Sequence, residues 1–437
     1  MRNKWFLYIA SILLAGTGVI NCSHKDVEKK SNEKAVKVSE QKSLVDRILD
    51  YESKTELIEE QVTPTLTVDD EKTLEAIRKL SEKYYESIDK LIESKKRITS
   101  KDYSPIFHQL VGNPLGKHIY ANNPELKKRI LTHNNGHFST VNEFCLFLGD
   151  YFFEKGVYVS LEFRVASFGK ISSLVAYYIK SKGKISADIF GHKLEDISSI
   201  GLGEEINVGY IKSRFKKGRQ VGKAHRHSHM YWPHKKYIVH GYEDEHVFEV
   251  FKKKASKADF RKRAKNANEL MNRLFFIGLY GREGNEEITK EKKRACLRSI
   301  LLHETTHALF PRLYAKEETS LAYRNKNEQS SYLTELVTAR DDLIYLRLAN
   351  YIGMGNDVQY KEGLVQFLKF CTDYIYEYQQ LFQNINFNRN LRGKELTQDI
   401  FLQFDRLSVP QIRSLAAKYL VSNLPRHVEK FSSNQFK

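Results

Sequence analysis

The chain has 437 residues, a formal charge of +17, and 41% hydrophobic and 12% aromatic content, enough for two or three subdomains with apolar cores. Setting aside Cys22, three cysteines remain, with no CxxC pair, which rules out a fully paired disulfide framework and a ribbon-type zinc fold. The positive balance suits an acidic partner such as anionic headgroups, a sulfated glycan or an acidic substrate, whereas no recognition motif supports nucleic acid.

In chain order, Arg2 and Lys4 open a positive segment, Trp5 to Ile20 is apolar, and Val19-Ile20-Asn21-Cys22 precedes a charged stretch. The apolar run is too short, and too soon followed by charge, for a lasting transmembrane helix. Residues 1–22 resemble the signal peptide of bacterial lipoproteins, with Asn21 departing from the small residue usual before the cysteine. That resemblance implies export and a lipid (palmitate) on Cys22, anchoring the protein to a bacterial membrane on its periplasmic side or at the cell surface. A signal peptide cut elsewhere, or an uncleaved anchor, stays open. Residues 23–40 are polar, charged and free of aromatics, the composition of a disordered tether.

Residues 41–138 read as a helical region, with helices over Ser43–Glu60 and Asp69–Ile98. The second has an apolar stripe through Leu74, Ile77, Leu80, Tyr84, Ile88, Leu91 and Ile92. A sheet-containing subdomain is expected over 139–287. It begins with a helix over Val141–Glu154. Alternating segments at Val157–Val165, Ser173–Ile179, Lys184–Phe190, Ile206–Phe215 and Tyr237–Phe251 then imply a mainly antiparallel sheet. His225, His227, His229, His234, His240 and His246 crowd into this part. The first three alternate, so on a strand they share one face and can bind a second metal or titrate together near neutral pH, the alternative being a basic, partly exposed strand or loop lining the cleft. Clusters such as Lys212–Arg219 and Arg261–Lys265 either form solvated faces or draw an acidic partner. Helices follow over Phe260–Leu279, Thr289–Phe310, Ser331–Tyr351, Tyr360–Gln383, 396–405 and 409–422, making 288–437 a helical subdomain. The fold class is α+β.

Within this last region stands His303-Glu304-Thr305-Thr306-His307. With 15 His and 54 acidic residues, such a pattern is expected by accident about 0.06 times in a chain of this length. On a helix, positions i and i+4 lie one above the other, so both imidazoles can hold one metal ion while the intervening Glu serves as general base. Apolar Leu297, Ile300, Leu301, Ala308 and Leu309 mark the helix as buried, and Pro311 is expected to close it. The alternative is an amphipathic helix with two core histidines, costly to bury without partners.

The stretch resembles the zincin metallopeptidases. Phe310 and Leu313 stand where metzincins carry Gly and His, which excludes that branch. The resemblance is to gluzincins, whose third ligand is a Glu from a later helix. It implies Zn2+ held by His303, His307 and Glu335, with Glu328 as the alternative third ligand, and Glu317 and Glu318 too near Pro311 for the chain to return. A sheet before the HExxH helix and helices after it match the gluzincin layout, with the motif helix at the cleft. Glu304 is then the base for a zinc-bound water that cleaves a peptide or protein substrate. Arg340, Tyr345, Tyr374 and His427 are candidates to hold the oxyanion, and Asp341 or Asp342 to bond the far nitrogen of a ligand histidine. The rival function is an inactive zincin-like lipoprotein, an adhesin or scaffold for an acidic partner.

Overall fold

The computed structural model describes residues 44–94, 105, 109, 113–133, 138, 141–160, 164–166, 170–172, 175–207, 213–215, 219–221, 230–232, 237–240, 244–314, 321–354, 358–388 and 390–432. The signal and tether readings, including Cys22, lie outside them, as do His225, His227, His229, His234, Glu317 and Glu318. Two compact units emerge. One takes the described residues of 1–56, 185–197 and 244–437, the other those of 57–184 and 198–243.

In the second unit, α1 (Val68–Ser94), α2 (Asn113–Asn122), α3 (Pro124–Thr132) and α4 (Val141–Glu154) surround an apolar core. Leu74, Ile77, Leu115, Leu126, Leu148 and Phe152 meet Val157, Val159 and Ala176 of the sheet in that core. Helices and sheet therefore share one core, and the boundary expected at 138–139 falls inside it. Asp70, fully buried, pins the helices together: its carboxylate accepts from Tyr151 (2.6 Å), Lys155 (2.8 Å) and Asn123 (3.0 Å).

The main sheet runs β1 (Lys54–Gln61), β5 (Val175–Ile189), β6 (His192–Asn207), β10 (Tyr237–His240), β9 (Met230–Trp232), with β2 (Val157–Ser160) also on β5. β2 on β5 and β9 on β10 are antiparallel, and β10 on β6 is parallel. Phe190 (φ 50°) and Gly191 (φ 81°) make the two-residue turn of the β5–β6 hairpin, the primed geometry that matches strand twist. The smaller pairs are β3 (Arg164–Ala166) with β4 (Lys170–Ser172) and β7 (Ser213–Phe215) with β8 (Arg219–Val221).

Three sequence assignments change here. The helix expected over Ser43–Glu60 covers only 44–49, and Lys54–Gln61 is a strand whose exposure alternates residue by residue. The described part of Ser173–Ile179 and the residues Lys184–Ile189 belong to one strand, Val175–Ile189, because Gly183 is a place of close approach and not a turn: a Cβ there would lie 1.9 Å from the Ile58 carbonyl oxygen. Tyr237–Phe251 is a strand only to His240. Then α5 (Asp244–Ala255) begins, burying Phe248, Phe251 and Ala255 at helical spacing.

The first unit is largely helical. After α5 come α6 (Ala267–Tyr280), α7 (Lys290–Tyr314), α8 (Leu321–Thr338), α9 (Ile344–Met354), α10 (Val358–Glu377), α11 (Gly393–Phe401) and α12 (Val409–Asn423). Asn266 caps α6 by accepting from the Glu269 amide, so this helix starts seven residues later than the Phe260 expected. α6 packs on α9, and a Cβ at Gly278 would fall 2.6 Å from Leu346 Cγ. The boundary expected at 287–288 therefore falls within one body.

Two further differences concern the motif region. α7 passes Pro311 and ends at Tyr314. Its last turn is held by Arg426, which donates to the Leu313 carbonyl (2.9 Å), and by Tyr314 stacking on Phe310 and His427. The single helix expected over Ser331–Tyr351 is two, α8 starting at Leu321 and α9 at Ile344, with a 3-10 turn over Asp341–Leu343 between them. Among the described residues, no helix is long and apolar enough to cross a membrane.

Candidate metal centre

α7 packs against α8, and the facing surfaces carry the polar side chains. On α7, Ser299, His303 and His307 follow at intervals of four and form one stripe. His303 and His307 are 8% and 9% exposed, with their Nε2 atoms 3.2 Å apart. The Glu304 carboxylate joins them: ligand atoms of His303, Glu304 and His307 all lie within 4.8 Å of one another.

α8 supplies the rest. Glu328 Oε2 is 3.3 Å from His307 Nε2 and 3.8 Å from His303 Nε2. The far nitrogens are taken as well. His303 Nδ1 donates to Glu335 Oε2 (3.1 Å), and His307 Nδ1 donates to Asn327 Oδ1 (2.9 Å), with Ser331 Oγ at 3.2 Å. With both Nδ1–H groups engaged, the Nε2 atoms are the positions left to take a proton or a metal, and they face each other and Glu328.

Glu335, expected as the third ligand, meets His303 at Nδ1, whereas Glu328 lies toward the Nε2 atoms. Glu335 lies on the far side of His303, seven residues and about two turns beyond Glu328. Its Oε1 accepts from Ser299 Oγ (3.0 Å) and pairs with Arg347 Nη1 (3.3 Å). In this packed helix the carboxylate is held by an ion pair and two hydrogen bonds.

Burial pushes the His303 imidazole toward its neutral form, but Glu335 and Glu328 outweigh burial and hold its pKa up, at about 10. His307 is raised for the same reason, with Glu328 as the main opposing charge. Glu328 and Glu335 are held below the usual carboxylate range against their own burial, Glu328 by the two histidines and Glu335 by Arg347 and His303. The pocket favours positive charge, which a divalent cation can supply in place of protons. A tetrahedral zinc ion with bonds of about 2.0–2.1 Å spaces its donors about 3.3 Å apart. The three separations here are 3.2, 3.3 and 3.8 Å, so the donor set fits in chemistry and spacing. Glu304 and Glu328 remain partly exposed, giving solvent a way in.

The residues proposed to hold an oxyanion have other partners. Arg340 pairs with Asp342 and Glu291, Tyr345 donates to the Leu407 carbonyl and receives from Arg282, Tyr374 stacks with Phe370 and Tyr378, and His427 is buried against Tyr314 and Phe310. Asp341 pairs with Arg413, so neither it nor Asp342 bonds a ligand histidine. The sequence reading overlooked Ser299, Asn327, Ser331 and Arg347. The signal for Arg347 was present: it is the lone charge in Ile344-Tyr345-Leu346-Arg347-Leu348-Ala349. Of the histidine-rich segment, only His240 and His246 fall on described elements.

No protein-family model, curated protein or solved structure matches the chain.

Proposed function

We propose that this chain is a zinc metallopeptidase with a gluzincin-like centre, in which His303, His307 and Glu328 hold the ion. The observation that carries this reading is the convergence of both Nε2 atoms on Glu328 Oε2 while each Nδ1 is tied to an acceptor. Zinc bound there supplies Lewis acidity and an activated water near neutral pH. Glu304, partly exposed beside the ligands, takes the proton from the attacking water and passes it to the leaving amine nitrogen. Glu335 and Asn327 keep the two imidazoles in the ligating tautomer.

The test is metal content together with hydrolysis. Purified protein will carry one equivalent of zinc and cleave a mixed peptide pool. A chelator will stop cleavage, and added zinc will restore it. Tight zinc binding without any cleavage would favour the inactive scaffold, and absence of zinc binding would end the metal reading.

The location belongs to the same proposal. Arg2, Lys4, the apolar run to Ile20 and Cys22 support export and lipid anchoring to a bacterial membrane. Labelled palmitate fed to expressing cells will enter the wild-type chain and not Cys22→Ser. Equal labelling of both would remove Cys22 as the anchor.

A further inference from the structure

We infer that Arg347 is a positioning residue for the metal centre, acting through Glu335 on His303; this rests on the ligand set proposed above. Arg347 is 1% exposed on α9, and a buried guanidinium is costly unless paired and hydrogen-bonded. It reaches both helices of the site. Nη1 lies 3.3 Å from Glu335 Oε1 on α8, and Nη2 donates to the Cys296 carbonyl on α7 at 3.0 Å.

The two oxygens of Glu335 divide the work. Oε1 is held by Ser299 Oγ and Arg347, and Oε2 is left to accept from His303 Nδ1. A carboxylate fixed at one oxygen by donors from two other helices cannot turn without breaking both contacts. Oε2 therefore stays in line with the imidazole, and the imidazole keeps Nε2 toward Glu328 and His307. Arg347 also pairs with Glu335 and offsets part of the negative charge that the outer carboxylate brings to His303.

Among the described residues, the second imidazole is held by different partners. His307 is held by the neutral Asn327 amide and by Ser331, both on α8 itself. A general loss of packing would disturb both imidazoles, whereas a positioning role predicts an effect confined to His303.

The experiment measures zinc affinity of the full chain by competition with a chromophoric chelator, in a double-mutant cycle. Glu335→Gln is expected to weaken zinc binding about 10–100-fold, the usual cost of losing an outer carboxylate, and Arg347→Met at least about 10-fold by the same route. The double variant will bind no more weakly than the worse single, because both changes break one chain of contacts. Arg347→Met with Asn327→Ala will instead give the product of the two separate losses. In the proton NMR spectrum of the metal-free chain, Arg347→Met will abolish the exchange-protected Nδ1–H signal of His303 and leave that of His307.

Wild-type affinity in Arg347→Met, or losses that multiply with Glu335→Gln, would overturn the inference. If Arg347→Met does not fold, Arg347→Lys and the double variant, in which no buried charge is orphaned, carry the same comparison. Failure of the wild type to bind zinc would strike the ligand set alone, since the His303 Nδ1–H signal still reports on Arg347.

Discussion

Glu304→Gln will hold zinc at wild-type affinity and lose peptide hydrolysis by about 10²–10⁴-fold, the usual contribution of a positioned general base. The substitution keeps shape and removes the proton acceptor. His303 and His307 keep their Nδ1 partners, Glu335 and Asn327, and Glu328 keeps its place against both Nε2 atoms, so nothing in the proposed donor set changes. Metal content and turnover on one peptide, measured side by side, give three separable outcomes. Retained zinc with lost turnover supports Glu304 as base. Full turnover removes it from the mechanism. Loss of zinc along with turnover makes Glu304 a ligand, an arrangement that its grouping with the two histidines within 4.8 Å leaves room for.

The motif was legible because its information is local. Residues four apart on a helix share a face whatever the rest of the chain does, and His303 and His307 needed only that α7 be helical. What the sequence left ambiguous were features decided by distant partners. Pro311 reads as a stop, yet α7 continues because Arg426 and His427, more than a hundred residues on, hold its last turn. Leu321 to Ser330 is polar enough to pass for a loop, so α8 was expected to start at Ser331. Its polar residues instead face α7: Asn327, Glu328 and Ser331 all contact His307. Lys54–Gln61 reads as a charged helix because Glu and Leu favour helices, but pairing along β5 makes it a strand. The general layout of helices, mainly antiparallel sheet and helical C-terminal region follows from period, whereas the place of Glu328 beside the two histidines depends on where one helix begins.

The choice between the two carboxylates yields the second large effect. Glu328→Ala will lose zinc more severely than Glu335→Gln, exceeding the about 10–100-fold loss that removal of an outer-shell carboxylate brings. The two residues sit two turns apart on one helix, so both point toward α7, and only their distances to the imidazole nitrogens separate them. Glu328 Oε2 lies 3.3 and 3.8 Å from the two Nε2 atoms, close to the spacing of neighbouring donors around one ion. Glu335 approaches His303 only at Nδ1 and spends its other oxygen on Ser299 and Arg347. For Glu335 to ligate beside the two Nε2 atoms, the His303 ring would have to turn over and break the contact between its Nδ1 and Glu335 Oε2. Zinc titrations of the two variants decide it. If Glu335→Gln loses the greater share of affinity, the ligand assignment reverts to Glu335, and Glu328 becomes an acid at the rim of the site.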